Sequence, residues 1–166
     1  TYPLPEAQLD RFLMHVKIDY PDASAEQSIL RLARGEALAH KDYDGSKLTE
    51  KHLIAARGQV LQMHMSEAVE EYLVQLIIAT REPGKYGDDL ARWVEFGASP
   101  RGTIALDRCA RAYAWLEGRD YVSPDDVRAV AHDVLRHRIL LSFEAEASGL
   151  TTDTVINELL SRVPVA

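Results

Sequence analysis

The sequence predicts a mainly α-helical domain of about five or six helices, preceded by a short segment that contains one strand. After Pro21, apolar residues recur at intervals of three and four, which is the spacing of one helix face. Several of these stretches begin with Ser or Thr, which commonly cap helix N-termini. One apolar run without this spacing, Phe12–Ile18, lies between polar segments and is typical of a strand.

The segment 1–22 is predicted to be a fragment of a larger folded unit. A short helix can follow Pro5, and the strand Phe12–Ile18 comes next. We identify no partner strand elsewhere, and a lone strand is not stable, so we expect its sheet to lie outside this chain. Its apolar side chains should then be covered by the helical domain or by a neighbouring chain, or be disordered. The sequence starts at Thr1 without an initiator methionine, as a piece cut from a longer protein would.

The first three helices of the helical domain are predicted from their caps and their apolar faces. Ser24 and Gln27 have the spacing of a capping box, and Thr49 and Ser66 can cap the next two helices. A polar loop, His40–Leu48, separates the first helix from the second. The predicted apolar faces consist of Ile29, Leu30 and Ala33; then Leu53, Ala56, Val60 and Leu61; then Val69, Tyr72, Leu73, Leu76 and Ile77.

Two later helices begin with Ser-Pro, and the charge of their first turns differs. Ser suits the N-cap and Pro suits the first helical position. Ser123-Pro124 is followed by two aspartates, which the positive end of the helix dipole favours, whereas Ser99-Pro100 is followed by Arg101, which it disfavours. The predicted buried faces are Ala105, Leu106, Cys109, Ala110 and Tyr113; Val127, Val130, Ala131 and Val134; and, in a last helix from about Thr152, Val155, Ile156, Leu159 and Leu160.

Composition and charge argue against several classes of protein. The 166 residues carry 19 basic and 26 acidic side chains, and the net charge of −7 disfavours a general nucleic-acid binder. The single cysteine allows no intrachain disulfide, which fits a cytoplasmic protein, and no apolar run is long enough to span a membrane. We expect no bound metal, because the six histidines lack the spacing of zinc ligands.

Two arginines are the candidate functional residues. Arg101 lies in a first helical turn, where free backbone N–H groups favour an anion, so a bound phosphate would compensate its unfavourable position. The alternative is that Arg101 is merely solvated. Arg11 lies at the edge of the predicted sheet, and guanidinium groups stabilise the charge of a transferring phosphoryl group. The sequence offers no phosphate loop, since Gly84-Lys85 lacks the preceding glycine and the following Ser or Thr.

Two motifs resemble the C-terminal half of MoxR-type AAA+ ATPases. They are residues 97–101, GASPR, and residues 118–127, GRDYVSPDDV, separated by an apolar helix. TYPLPEAQLDRF, at the start of the chain, is similar to the segment that follows the sensor-1 strand of that family. The resemblance covers nearly the whole chain. It implies that residues 1–22 are the C-terminal remnant of an AAA+ core, that residues 23–166 are the helical lid domain, and that the Walker A and Walker B segments lie upstream.

The resemblance also implies roles for individual residues. Arg101 matches the sensor-2 arginine, which with Ser99 and Pro100 would bind the nucleotide, and Arg11 matches the catalytic arginine finger offered to a neighbouring subunit. Arg101 could act on the nucleotide of its own subunit or on that of a neighbouring subunit, and this stays open. Arg11 could instead serve to close the core domain. ATP and Mg²⁺ would be ligands of the longer protein, and we expect this chain alone to bind no cofactor and to be inactive.

For the longer protein, the resemblance implies a ring, often a hexamer, that remodels partner proteins as a chaperone, some of them with von Willebrand A domains. Related magnesium-chelatase and helicase ATPases share the lid, and the net charge disfavours the helicase branch. Neither nucleic acid nor a membrane is expected as a partner. The second hypothesis is a helical protein-interaction domain with no nucleotide chemistry. A small helical nucleic-acid binder is the third, and the charge disfavours it as well.

Overall fold

The computed structural model describes residues 4–38, 45 and 47–165, and this part of the chain is mainly α-helical, as predicted. The helices are α1 Glu6–Leu9, α2 Ala23–Leu38, α3 Glu50–Gln62, α4 Glu67–Arg81, a 3₁₀-helix Pro83–Lys85, α5 Asp88–Trp93, α6 Pro100–Leu116, α7 Pro124–Leu135, α8 Phe143–Ala147 and α9 Thr152–Arg162. The strands are β1 His64–Met65, β2 Val94–Phe96, β3 Tyr121–Val122 and β4 Leu140–Leu141. No helix in these ranges is long and apolar enough to cross a membrane.

Two short ladders connect the helices in the part of the chain that the structure describes. β1 and β3 are parallel, with His64 opposite Tyr121. Both strands end directly before an N-cap serine, Ser66 or Ser123, so the pairing brings the starts of α4 and α7 to one end of the ladder. β2 and β4 are antiparallel, and an irregularity in the register lies within β2.

The core is formed mainly by α4, α6, α7 and α9, as their apolar spacing predicts. The buried residues that were predicted are Val69, Tyr72, Leu73, Leu76, Ile77, Ala105, Leu106, Cys109, Ala110, Val127, Val130, Ala131, Val134, Val155, Ile156 and Leu159. Each large apolar side chain buried here contributes about 1.5–3 kcal/mol of transfer free energy. The prediction was wrong for Tyr113, which is exposed, and only partly right for Leu160, which is half-buried.

The predicted apolar faces of α2 and α3 are not buried in the described structure. Ile29, Leu30, Leu53 and Leu61 are all exposed. Periodicity identifies the apolar side of a helix but does not supply a neighbour that covers it, and this explains the difference. The predicted loop His40–Leu48 lies mostly outside the described residues.

The caps of α3, α4 and α6 are where the sequence places them, and α2 differs. The side chain of Thr49 accepts from the His52 N–H at 3.3 Å. At α2 the capping residue is Asp22 and not Ser24, because the Asp22 carboxylate accepts from the Ala25 N–H at 2.7 Å. The helix therefore starts earlier than predicted, since a carboxylate two residues upstream competes with the Ser24 hydroxyl for the same role.

The segment Phe12–Ile18 begins with a bend at Phe12 and Leu13 and continues without regular secondary structure. It forms no β-ladder, so the strand predicted here is not present. Its backbone instead contacts the end of α7, where the His15 N–H donates to the Asp133 carbonyl at 2.7 Å. Met14 packs partly against the core, whereas Val16 is exposed. The helical domain thus covers the segment only in part.

Candidate functional site

The start of α6 is fixed on the end of α4 by a close backbone contact. Gly97 lies so near Thr80 and Arg81 that a β-carbon at this position would come within 2.7 Å of the Arg81 nitrogen. The Ala98 N–H donates to Thr80 Oγ1 at 2.9 Å, and Arg81 Nε donates to the Ala98 carbonyl at 2.6 Å. The glycine of the GASPR motif is therefore required by the close approach of two chain segments.

Ser99 connects this helix start to the N-terminal segment. Its Oγ accepts from the Arg101 N–H at 3.1 Å, as an N-cap should, and donates to Asp10 Oδ2 at 2.8 Å. Pro100 occupies the first helical position. The acid that is missing from the first turn of α6 is thus supplied by Asp10, which satisfies the preference of the helix dipole for negative charge.

Asp10 is in turn held by Arg138, whose side chain is only 2% exposed. Arg138 Nε donates to Asp10 Oδ1 at 3.1 Å, and Nη2 donates to the Asp10 carbonyl at 3.0 Å. The same guanidinium donates to the carbonyls of Phe12, Leu13 and Val134. Burial lowers the pKa of Arg138, and the Asp10 charge opposes this effect.

Beside this contact lies an open groove of about 460 Å³ that is rich in arginine. Its lining consists of Asp10, Arg11, Leu13, Arg101, Ile104, Ala105, Arg108 and Arg138. Arg101 is 56% exposed, and its Nε lies 4.0 Å from Asp10 Oδ2. Within the described ranges, neither Arg11 nor Arg108 forms an ion pair. Arg138 is engaged with Asp10 and backbone carbonyls, whereas Arg11, Arg101 and Arg108 are exposed. These three guanidinium groups make the groove electropositive, and their donor geometry matches phosphate oxygens.

The structure therefore brings Arg11 and Arg101 together, although they lie far apart in the sequence. Ser99 and Pro100 build the helix start but do not line this groove. Sequence reasoning missed Asp10, Arg108 and Arg138. Arg108 could have been found, because it lies seven residues after Arg101 and thus on the same helix face.

His132 and His137, which lie five residues apart in the sequence, do not line the groove. His132 bonds to the Asn157 side chain at 2.9 Å, and His137 Nε2 lies 3.0 Å from the Phe12 carbonyl. Burial lowers the pKa of His137. In the part of the chain that the structure describes, no group of three His, Cys, Asp or Glu side chains could hold a metal ion.

Comparison with known proteins gives this groove a context. Residues 90–159 match the family model of the AAA lid domain. The chain is 40% identical over 165 residues to the protein named Chaperone MoxR1 of Mycobacterium tuberculosis, covering 98% of this chain and 42% of that protein. The chain is related to the MoxR-type AAA+ proteins. It is also 37% identical over 176 residues to Protein MoxR of Paracoccus denitrificans, covering 99% of this chain and 52% of that protein.

A solved structure shares the fold of this MoxR-related chain. The crystal structure of a candidate ATPase from Cytophaga hutchinsonii matches it with a TM-score of 0.92 and 38% identity, over 99% of this chain and 50% of that one. The chain spans about half the length of the relatives it matches. Arg101, Arg108 and Arg138 lie within the AAA lid match, whereas Arg11 precedes it, so the groove lies where the lid meets the N-terminal segment.

Proposed function

We propose that this chain is the lid-bearing part of a MoxR-like AAA+ ATPase that hydrolyses ATP in a ring and thereby remodels or assembles partner proteins. Arg101 is the sensor-2 residue of this proposal, and Arg11 is its arginine finger. The observation that carries it is the groove in which these two arginines, from distant parts of the sequence, lie together. The relationship to MoxR-type proteins supports the same function.

The groove residues suit the binding and stabilisation of phosphate groups. Guanidinium groups pair with phosphate oxygens through parallel hydrogen bonds, and a finger that meets the transferring phosphoryl group stabilises its charge. The first turn of α6 adds backbone N–H groups with a positive dipole end, in which Ser99 and Pro100 fix the geometry. ATP would supply the phosphoryl group, with Mg²⁺ neutralising part of its charge. The chain's own contribution is positive charge and position.

Because Arg11 and Arg101 line one groove, we propose that both serve the same nucleotide. If Arg11 reaches the ATP of a neighbouring subunit, Arg101 then does so as well. The proposed partners are neighbouring subunits of a hexameric ring and client proteins, including ones with von Willebrand A domains. The proposed location is the cytoplasm, without a nucleic-acid partner.

The test uses the full-length protein with its upstream ATPase segments. Arg11→Ala should reduce turnover by about 10³-fold or more while ATP affinity stays within a factor of a few, because a finger acts on the transition state. Arg92→Ala, which removes an exposed arginine of α5 outside the groove, serves as the matched control and should leave turnover unchanged. Equal effects of the two variants would contradict the role of Arg11.

Mixed rings test whether the arginines act across the subunit interface. Arg11→Ala subunits still carry an intact phosphate loop, whereas phosphate-loop variants still carry both arginines. Mixing the two should restore part of the activity if Arg11 acts on the neighbouring subunit. If both arginines serve one nucleotide, mixing Arg101→Ala subunits with phosphate-loop variants should also restore part of the ATPase activity. If activity is restored with only one of the two arginine variants, Arg11 and Arg101 do not serve the same nucleotide.

A protein-interaction domain without nucleotide chemistry is the second candidate function. The exposed apolar residues of α2 and α3, such as Ile29, Leu30 and Leu53, favour it, because an uncovered apolar face is typical of a contact surface. Full-length protein that neither binds nor hydrolyses ATP would support this candidate over the first.

A further inference from the structure

Arg138 is a buried charge to which the proposed ATPase chemistry assigns no role. Its guanidinium donates to the Asp10 carboxylate, to carbonyls of the N-terminal segment and to the Val134 carbonyl of α7. Breaking a buried ion pair is costly, but the net contribution of such a pair to stability is commonly small. A buried arginine with this many specific acceptors is therefore better explained by the geometry it fixes.

The second Ser-Pro helix shows what is unusual about this contact. At α7, the Ser123 hydroxyl donates to Asp126 Oδ2 at 2.8 Å, and Arg119 Nη1 donates to the same carboxylate at 2.8 Å. At α6 the same chemistry appears, but the carboxylate is Asp10, which lies 89 residues from Ser99 in the sequence. The α7 contact is local, whereas the α6 contact joins two distant parts of the chain.

The position of this contact determines what it can control. Asp10 is the direct neighbour of Arg11, and Ser99 lies two residues before Arg101. A shift of Asp10 relative to Ser99 would therefore change the separation of the two arginines across the groove. We propose that Asp10 and Arg138 are positioning residues that lock the N-terminal segment, which carries Arg11, to the start of α6. Arg11 and Arg101 then move as one unit.

This inference rests on the proposed function, and its first test is kinetic. In the full-length protein, Asp10→Asn should lower kcat about 10- to 100-fold, because small errors in the placement of catalytic groups cost this much. ATP affinity, measured by calorimetry, should change by less than about threefold, because Asp10→Asn retains all four arginines. Asp126→Asn is the matched control, since it removes a carboxylate that also pairs with a serine hydroxyl and an arginine, but at a site away from the groove. The kcat of this variant should stay near that of the wild type.

A second pair of variants covers the case in which Asp10→Asn fails to fold. Ser99→Ala and Ser123→Ala each remove one N-cap hydroxyl, and each should cost a similar stability. Only Ser99→Ala breaks the contact with Asp10, so only this variant should lower kcat beyond what its melting temperature explains. An equal kcat in both variants would overturn the proposal.

Hydrogen exchange gives a test that does not depend on ATP hydrolysis. The His15 amide donates to the Asp133 carbonyl only while the segment is docked, so its exchange should speed up about tenfold or more in Asp10→Asn. Amides in the middle of α4 should keep their rates. If exchange at His15 is unchanged, the locking contact is disproved, whatever the turnover. If the wild-type protein lacks turnover while His15 responds as expected, the ATPase function fails but the locking contact stands.

Discussion

Replacement of Gly97 by alanine should destabilise the fold more than any comparable glycine substitution in the described chain. The new β-carbon would collide with the backbone of Thr80 and come within 2.7 Å of the Arg81 nitrogen. Backbone atoms inside a helix cannot move aside as a flexible side chain can. Either the start of α6 shifts, or the hydrogen bond from the Ala98 N–H to Thr80 is lost.

The expected magnitude follows from the type of contact. Overpacking in a well-packed interior costs about 1–3 kcal/mol, and a collision with backbone lies at the upper end of that range. For a chain of this length, about 3 kcal/mol corresponds to a fall of about 6–12 °C in melting temperature. Gly58→Ala is the matched control, because a β-carbon there meets nothing within 4 Å. It should raise the stability by about 0.5–1 kcal/mol, since glycine is unfavourable within a helix.

Thermal unfolding of the chain, followed by circular dichroism, measures both variants. Gly102→Ala should fall between these two variants in stability. Its β-carbon would lie 3.0 Å from Ile77 Cδ1, which can move, and 3.1 Å from the Ala98 β-carbon, which is fixed to the backbone, but it would not collide with backbone atoms as at Gly97. The expected order of melting temperatures is Gly58→Ala highest, then Gly102→Ala, then Gly97→Ala. If Gly97→Ala has the same melting temperature as the wild type, the close approach of the backbone at Thr80 and Arg81 does not require a glycine at this position.

Two further predictions concern charge. Arg101→Glu should change the stability of the chain by less than about 1 kcal/mol, because the gain from the helix dipole is opposed by repulsion from Asp10. A much lower melting temperature would contradict this expectation. In the full-length protein, the same variant should abolish ATP turnover. Burial opposes the ionisation of Asp126, but hydrogen bonds from Arg119 and Ser123 hold its pKa below the ordinary value. The ionised form is therefore favoured in the folded state. Its contribution to the free energy of unfolding is present above about pH 4 and is lost as the pH falls further. In denaturation measured as a function of pH, Asp126→Asn should therefore lose less stability than the wild type on acidification.

The parts of the fold that depend on local rules could be predicted from the sequence. The caps Thr49, Ser66 and Ser99 and the apolar faces of α4, α6 and α7 were predicted largely correctly, because capping and periodicity act within one helix. The strand at Phe12–Ile18 was predicted wrongly, because apolar β-branched residues favour an extended backbone but a ladder needs a partner. α7 supplies hydrogen bonds to the segment without forming a strand.

The candidate site could be predicted only in part, for a related reason. Arg11 and Arg101 were selected one at a time, and their placement in one groove depends on packing between distant segments. Arg138 carries no signal in the sequence, since an arginine near the end of a helix is ordinarily a surface residue. Its burial becomes apparent only when Asp10 and the carbonyls that surround it are in place.

The charge balance at the start of α6 links the N-terminal segment to the lid. α7 carries its own carboxylate, so its N-terminus is complete without help from elsewhere in the chain. α6 carries Arg101 in the corresponding turn and receives its carboxylate from Asp10, which also neutralises the buried Arg138. Removal of the segment would leave a cation in the first turn and an uncompensated charge in the interior, and both are unfavourable. The docked arrangement is therefore the one in which the first turn of α6 can tolerate an arginine and direct it into the groove.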